Sequence, residues 1–161
     1  MDTSDGLLLG EFIRRLDERY RLAIPAELSD RLMAGGDRCL LAKERAGCLS
    51  LWQATEWEPR IQSHVSVLRT KLEAGVFARR VGDVQDLGRL LSTRHREVTL
   101  AVRGRLVVPE SFREFLGVEP GGEVVVVGAA ICVEIWDPAA WRQFIAAEMP
   151  EFRRRLDELT A

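Results

Sequence analysis

A chain of 161 residues, 47% apolar and 30% charged, has the makeup of an ordinary soluble globular protein, one domain or two small fused ones. That excludes wholesale disorder and a collagen-like repeat, and the longest apolar run, residues 124–133, is half of what a membrane-spanning helix needs. The formal charge of −2 and the pI of about 5.8 lack the basic footprint usual for nucleic-acid binding.

Only Lys43 and Lys71 among the 23 cations are lysines, which leaves 21 arginines. Arginine forks onto phosphate and base edges where lysine acts as a point charge. Cys39, Cys48 and Cys132 are odd in number and show no CxxC spacing, and His64 and His95 lie far from them in sequence. This excludes a disulfide scaffold or zinc ribbon and fits a reducing compartment. No metal or cofactor is expected. MDTSDGLLLGEF has no basic leader, so the expectation is a cytoplasmic protein without membrane contact.

In chain order, residues 10–16 predict a strand that leads into an arginine-bearing turn and a second strand, RLAIP (21–25). Pro25 suits a first helical position, where its missing N–H costs nothing. Leu28 and Leu32 share a helical face, and Gly35 stops the helix. Two strands follow, CLLAKE (39–44) and CLSLW (48–52), joined by a tight turn at residues 45–47. From Trp57 to His95 the chain reads as helix, with Trp57, Ile61, Val65, Leu68 and Leu72 on one face. Thr55 and Glu58 have capping-box spacing. Gly75 and Gly82 divide this stretch, the second helix lying around residues 84–91. A strand at 98–102, a turn and RLVVP (105–109) come next, then a helix bearing Phe112 and Leu116 and stopped by Gly117. EVVVVG (123–128) and CVEIW (132–136) are strands joined by a turn at 128–130. Asp137 and Pro138 form an N-cap and first-position pair for a helix carrying Trp141, Phe144 and Ile145. The tail, residues 151–161, is charged and helix-prone, with part of it expected to be disordered.

A shift of 84 residues without gaps lays Leu16–Leu32 on Leu100–Leu116. Leu16, Arg19, Arg21, Leu22, Pro25 and Leu32 recur as Leu100, Arg103, Arg105, Leu106, Pro109 and Leu116. Ala46, Cys48, Trp52 and Trp57 recur as Ala130, Cys132, Trp136 and Trp141. Ten identities in 42 residues, with all four tryptophans paired, indicate duplication of one structural unit. A unit of this size is small for an independent core. Two copies are expected to close one mostly β, α+β body around a pseudo-twofold axis, with helices outside.

An Arg-x-Arg in a turn is ordinarily a solvated loop, but its recurrence in both units makes ligand contact an equal reading. The tryptophans read as core or interface rather than stacking platforms, and Cys48 and Cys132 as buried small hydrophobes. His64 reads as surface, while His95, in RHRE, is a candidate addition to a basic face. Gly121–Gly122 is a turn without a phosphate loop. No Ser/His/Asp, Cys/His or metal-ligand grouping is visible, so no enzyme is expected.

GEFIRRLDERYRLAIPAELSDRL, RLVVPESFREFLG and VEIWDPAAW resemble the MraZ family of bacterial transcriptional regulators over about residues 8–148. The resemblance implies two tandem SpoVT/AbrB-type swapped-hairpin units, at 10–57 and 98–143, forming one pseudo-twofold barrel with helices outside. A helical connector lies at 58–97 and a C-terminal helix or tail at 144–161. It implies double-stranded DNA as partner: repeated boxes upstream of the protein's own operon, the division and cell-wall gene cluster. It further implies autorepression and a ring-like homo-oligomer associated with the nucleoid. The family's Asp-x-x-x-Arg motif is kept as Asp17 and Arg21, whereas Ala101 stands in the second unit before Arg105. Tyr20 replaces a turn glycine that the second unit keeps as Gly104. On this reading Arg19, Arg21, Arg103 and Arg105 form a basic stripe that meets base edges. Arg14 and Arg15 hold phosphates, and Asp17 orients Arg21 or fixes the turn. The rival expectations are a ring-forming scaffold without a DNA role, or an AbrB-type antitoxin.

Overall fold

The computed structural model describes residues 6–161. Its elements are β1 (Leu8–Arg15), β2 (Arg21–Ala23), α1 (Ala26–Leu32), β3 (Arg38–Arg45), β4 (Cys48–Gln53), α2 (Ala54–Glu73) and α3 (Val81–Arg94). The second half continues with β5 (His95–Thr99), β6 (Arg105–Val107), α4 (Glu110–Leu116), β7 (Glu123–Ala130), β8 (Val133–Trp136), α5 (Pro138–Glu148) and α6 (Phe152–Thr160). Six strands form one sheet in the order β1-β7-β8-β4-β3-β5, and β2 and β6 form a separate ribbon. All pairings are antiparallel.

That order is palindromic. β1 on β7 is the counterpart of β5 on β3, with β4–β8 and β2–β6 at the centre, so each half lends its first strand to the other half's hairpin. Backbone bonds cross in the same way. Ile24 N–H donates to the Gly104 carbonyl at 3.0 Å, and Val108 N–H donates to the Tyr20 carbonyl at 2.9 Å. The halves therefore share one α+β body with a mostly antiparallel sheet. No pairing among the described residues joins β1 to β5, so the sheet remains open at both edges instead of closing into the expected barrel.

Strand alternation sets the layers. Leu49 and Leu51 of β4, Val124 and Val126 of β7, and Val133 and Ile135 of β8 face the main core. Leu22 and Leu106 of the ribbon, Leu28 and Leu32 of α1, and Phe112 and Leu116 of α4 close it from the other side. Burying a side chain of this kind contributes ~1.5–3 kcal/mol. On the sheet's outer face, Cys48, Val125, Val127 and Trp136 lie under Ala140, Trp141 and Phe144 of α5. Residues 124–127 can all be valine because both faces of β7 are covered.

None of the ten repeat identities falls between Leu32 and Ala46, and the registers explain the gap. Phe12 pairs with Val126, while its counterpart Arg96 pairs with Leu41, so β3 corresponds to β7 at a shift of 85 rather than 84. Cys39 and Leu41 then match Val124 and Val126, all four fully buried. A bulge between Lys43 and Arg45 absorbs the extra residue, and the shift returns to 84 by Cys48. An ungapped alignment passes over both compensating steps.

Several boundaries differ from expectation. Pro25 and Pro109 stand at the N-cap, one residue before their helices, where their carbonyls accept the first helical bonds. Gly117 ends α4 in the left-handed conformation (φ 79°), but Met33, not Gly35, caps α1. Thr55 caps nothing. α2 begins at Ala54 directly off β4, and Glu58 is drawn to Arg38 instead. Gly75 turns the chain after α2, at φ 74°, whereas Gly82 lies within the first turn of α3. β7 runs to Ala130 because Leu8 pairs with it there, which moves the hairpin turn to residues 131–132. β5 begins at His95, directly from α3. The tail is helical through Thr160 rather than partly disordered, with Arg154 paired to Glu151 and Glu158 along α6.

Candidate functional site

The pleat of the ribbon decides which side chains leave the core. Leu22 and Leu106 point inward, so Arg21 and Ala23 of β2 and Arg105 and Val107 of β6 lie on the exposed face. Arg21 is opposite Val107 and Arg105 opposite Ala23. The two arginine positions are therefore diagonal neighbours, about 7–8 Å apart by sheet geometry. Arg19 and Arg103 sit in the turns that enter β2 and β6, and an antiparallel ribbon puts those turns at opposite ends. Arg19, Arg21, Arg105 and Arg103 thus follow one another along the ribbon, all exposed.

The two turns share a backbone frame, in the first with Tyr20 N–H donating to the Asp17 carbonyl and Asp17 N–H to the Arg21 carbonyl, each at 3.0 Å, but their side chains differ. In the first, Asp17 Oδ1 accepts the backbone N–H groups of Arg19 and Arg21, each at 2.8 Å, and Oδ2 accepts Arg21 Nε at 2.7 Å. The backbone N–H of Arg21, followed by its guanidinium, holds the Asp17 carboxyl below the usual carboxylate range. Tyr20 takes a left-handed backbone (φ 58°), and the Arg113 guanidinium covers its ring at 4.0 Å. In the second turn Ala101 offers no carboxylate. Its carbonyl accepts Gly104 N–H at 3.1 Å and Arg105 N–H at 3.3 Å. Arg103 (φ 65°) and Gly104 (φ 69°) complete a tight 3₁₀ turn. Gly104 is required there, because a Cβ would lie 2.6 Å from Ser29 Cβ.

Two depressions flank the ribbon and share Arg21 and Arg105. One, of about 350 Å³, is completed by Arg15, Asp17, Leu22 and Ala23. The other, of about 500 Å³, is completed chiefly by Arg96, Glu97, Thr99 and Ala101. Arg15 Nη1 donates to the Gly121 carbonyl at 2.6 Å. Arg14 lies elsewhere: its guanidinium stacks 5.6 Å from the Phe12 ring and donates to the Ile13 carbonyl. Among the described residues, the side chains of Arg19, Arg96, Arg103 and Arg105 have no hydrogen-bond or ion-pair partner. Glu97 is neutralised from outside the depression by a two-pronged bond from Arg38, at 2.8 and 2.9 Å, and Glu58 binds the same guanidinium. Arg38 lowers the Glu97 pKa accordingly.

Of the six candidate arginines, the structure gathers Arg15, Arg21 and Arg105 around one depression and sets Arg19 and Arg103 at the two ends of the ribbon. Arg96 joins them unforeseen. The repeat itself conceals it, because its counterpart, Phe12, packs against the core. His95 does not add to the basic face. It is half-buried against Trp57, ring centroids 5.5 Å apart, and burial, with Arg94 nearby, pushes its pKa down. Trp52 packs at a tilt against Trp57 and Trp136 against Trp141, and Trp52 and Trp136 are buried. The three cysteines are buried and unbridged. Burial raises the Cys39 thiol to about 11 and the Cys132 thiol to about 12, and raises Cys48 as well, so none is a ready nucleophile. Among the described residues no His/Cys/Asp/Glu cluster suits a metal ion, and no helix is long and apolar enough to cross a membrane.

Comparison with known proteins points to one family. Residues 92–158 match a family model described as "MraZ protein, putative antitoxin-like". The chain is 30% identical to "Transcriptional regulator MraZ" of Thermomicrobium roseum, over 95% of this chain and 99% of that protein. It is 29% identical to the protein of the same name from a Nocardioides strain, over 95% of each. To that of Corynebacterium urealyticum it is 28% identical, over 96% and 98%.

Proposed function

From the premise that the chain belongs to the MraZ family of transcriptional regulators, we propose that it represses its own promoter by sequence-specific binding to double-stranded DNA. The promoter is that of the division and cell-wall gene cluster, with its repeated boxes, and the protein acts at the nucleoid. The observation that carries this reading is the line of arginines along the exposed ribbon. Arg21 and Arg105 are set to fork onto guanine O6 and N7, the commonest specific major-groove contact. Arg19 and Arg103 extend the contact at the ends. Arg15 serves phosphates beside them, and Arg14, turned onto Phe12, stands at the margin. A net charge of −2 does not oppose this, because carboxylates near the site, Asp17 and Glu97, already face arginines.

The exchanged first strands support reading the halves as tandem SpoVT/AbrB-type swapped-hairpin units. Self-association into a ring-like oligomer is supported by the helices. α3, α5 and α6 have no buried residue, yet Leu87 and Leu90 of α3 and Phe152, Leu156 and Leu159 of α6 are exposed and apolar. In a ring, several ribbons meet successive boxes, so modest individual contacts gain from effective concentration.

The test is fluorescence anisotropy with labelled DNA from upstream of the gene and a shuffled control, at two salt concentrations. Preference for the native DNA by at least about tenfold, ~1.4 kcal/mol, is expected. The double variant R21A/R105A should lose that preference while keeping its oligomer size. Equal, weak binding to both DNAs overturns the reading in favour of a scaffold or antitoxin-like partner protein.

A further inference from the structure

Building on the DNA-binding reading, we propose that Arg96 is a phosphate-contacting residue of the interface. The depression it lines would then carry more of the DNA-backbone contact than its counterpart across the ribbon.

The two depressions are related by the repeat but differ in chemistry. On the first side, Arg15 already donates to the Gly121 carbonyl and Asp17 grips Arg21. A phosphate there would have to compete with a carbonyl and approach a carboxylate. On the second side, Thr99 and Ala101 replace Arg15 and Asp17, and no acid faces Arg105 from the turn. The remaining carboxylate, Glu97, is held by both prongs of Arg38. Arg96 and Arg105 face the depression with no partner among the described residues. The unpartnered guanidinium of Arg96, in a concavity whose one carboxylate is neutralised, is an anion site of local origin, whatever the net charge.

Position favours phosphate over base edge. Arg96 lies on β5, the strand at the sheet's edge, beside the ribbon and not on its outward face. Contacts at the flank of a reading element position it without carrying sequence information. The residue is also a departure from the repeat. Phe12 fills the matching place in the first half by packing against the core. An arginine there forgoes core packing and presents a free charge.

Anisotropy titrations across a salt series would compare wild type, R96A, R96K and R15A on own-promoter and shuffled DNA. R96A should weaken binding to both DNAs by a similar factor, about fivefold at moderate salt, and reduce the slope of log affinity against log salt by about 0.9. R96K should recover part of the loss, and R15A should cost less than R96A. Because Arg96 meets Leu41 through the backbone, R96A should keep the wild-type unfolding midpoint. If it does not, R96Q, which retains the stem, replaces it in the same titration. Wild type without preference for its own promoter ends the regulatory reading. Wild type with that preference, alongside R96A of unchanged affinity and slope, ends the Arg96 assignment alone. R96A that loses the preference with an unchanged slope makes Arg96 a base reader and overturns the phosphate role. R15A costing as much as R96A or more overturns the ranking of the two depressions.

Discussion

The turn at Asp17–Arg21 and the turn at Ala101–Arg105 occupy equivalent places and deliver an arginine to the same ribbon, yet different side chains secure them. Both keep the same backbone frame, Tyr20 N–H to the Asp17 carbonyl and Asp17 N–H to the Arg21 carbonyl in the first, Gly104 N–H to the Ala101 carbonyl and Ala101 N–H to the Arg105 carbonyl in the second. To this the first adds a side chain, the Asp17 carboxylate. In the second the Ala101 carbonyl takes the Arg105 N–H instead, and the turn depends on the absence of a side chain at Gly104. The opposite half completes each solution. Arg113 of α4 covers Tyr20 of the first turn, and Ser29 of α1 fills the space beside Gly104 of the second. Ser29 and Arg113 are themselves repeat counterparts, so turn residue and covering residue differ together. The duplication preserved the arginine's placement and the backbone frame of the turn, while the side chains that secure it diverged.

The sharpest way to break this comparison is G104A. The new Cβ meets Ser29 and the Ile24 carbonyl in a left-handed backbone, and overpacking with strain should cost about 3 kcal/mol in chemical denaturation. An unchanged midpoint would show the second turn to be as adaptable as the first. D17A comes next and should lower the unfolding midpoint near neutral pH. A carboxyl whose pKa is lower in the folded than the unfolded state stabilises above the unfolded range, and that contribution is lost as pH falls through the folded value. The gap between wild type and D17A should therefore hold steady near neutrality and close on acidification below about pH 4. The converse change, A101D, brings a carboxylate to Arg105 and should lower affinity for own-promoter DNA severalfold without lowering the midpoint. R113A, which uncovers Tyr20 and removes the bond from Arg113 Nε to the Val108 carbonyl, should cost about 1 kcal/mol. Y20G should come within about 1 kcal/mol of wild type, since relief of the left-handed strain offsets the lost ring contact.

The duplication was readable because leucines, prolines and tryptophans with the same backbone or packing duty recur at one spacing. The local elements followed from it, and so did the arginine pair at Arg21 and Arg105. What crosses between halves was not readable. Nothing near Leu8–Arg15 says that its partner is Glu123–Ala130 and not its own hairpin, because pairing over such a separation leaves no periodic trace. The bulge at Lys43–Arg45 was hidden by a compensating residue before β7. Arg96 is hidden for a related reason. A repeat marks only what its two units share, and an arginine at this place belongs to one of them.

The exchange of first strands also bears on how the chain is made. A ribosome that has just released β1 must add more than 100 residues before β7 exists to receive it, about 5–20 s at ordinary elongation rates. Through that interval β1 has no strand partner, and its ladder of N–H and C=O groups is open to other chains. Gly10, at φ 130° within the strand, and the charged Glu11, Arg14 and Arg15 make that waiting edge a poor template for aggregation. Synthesis of the first half alone thus yields the β3–β4 hairpin but leaves β1 without a receiver until the second half emerges.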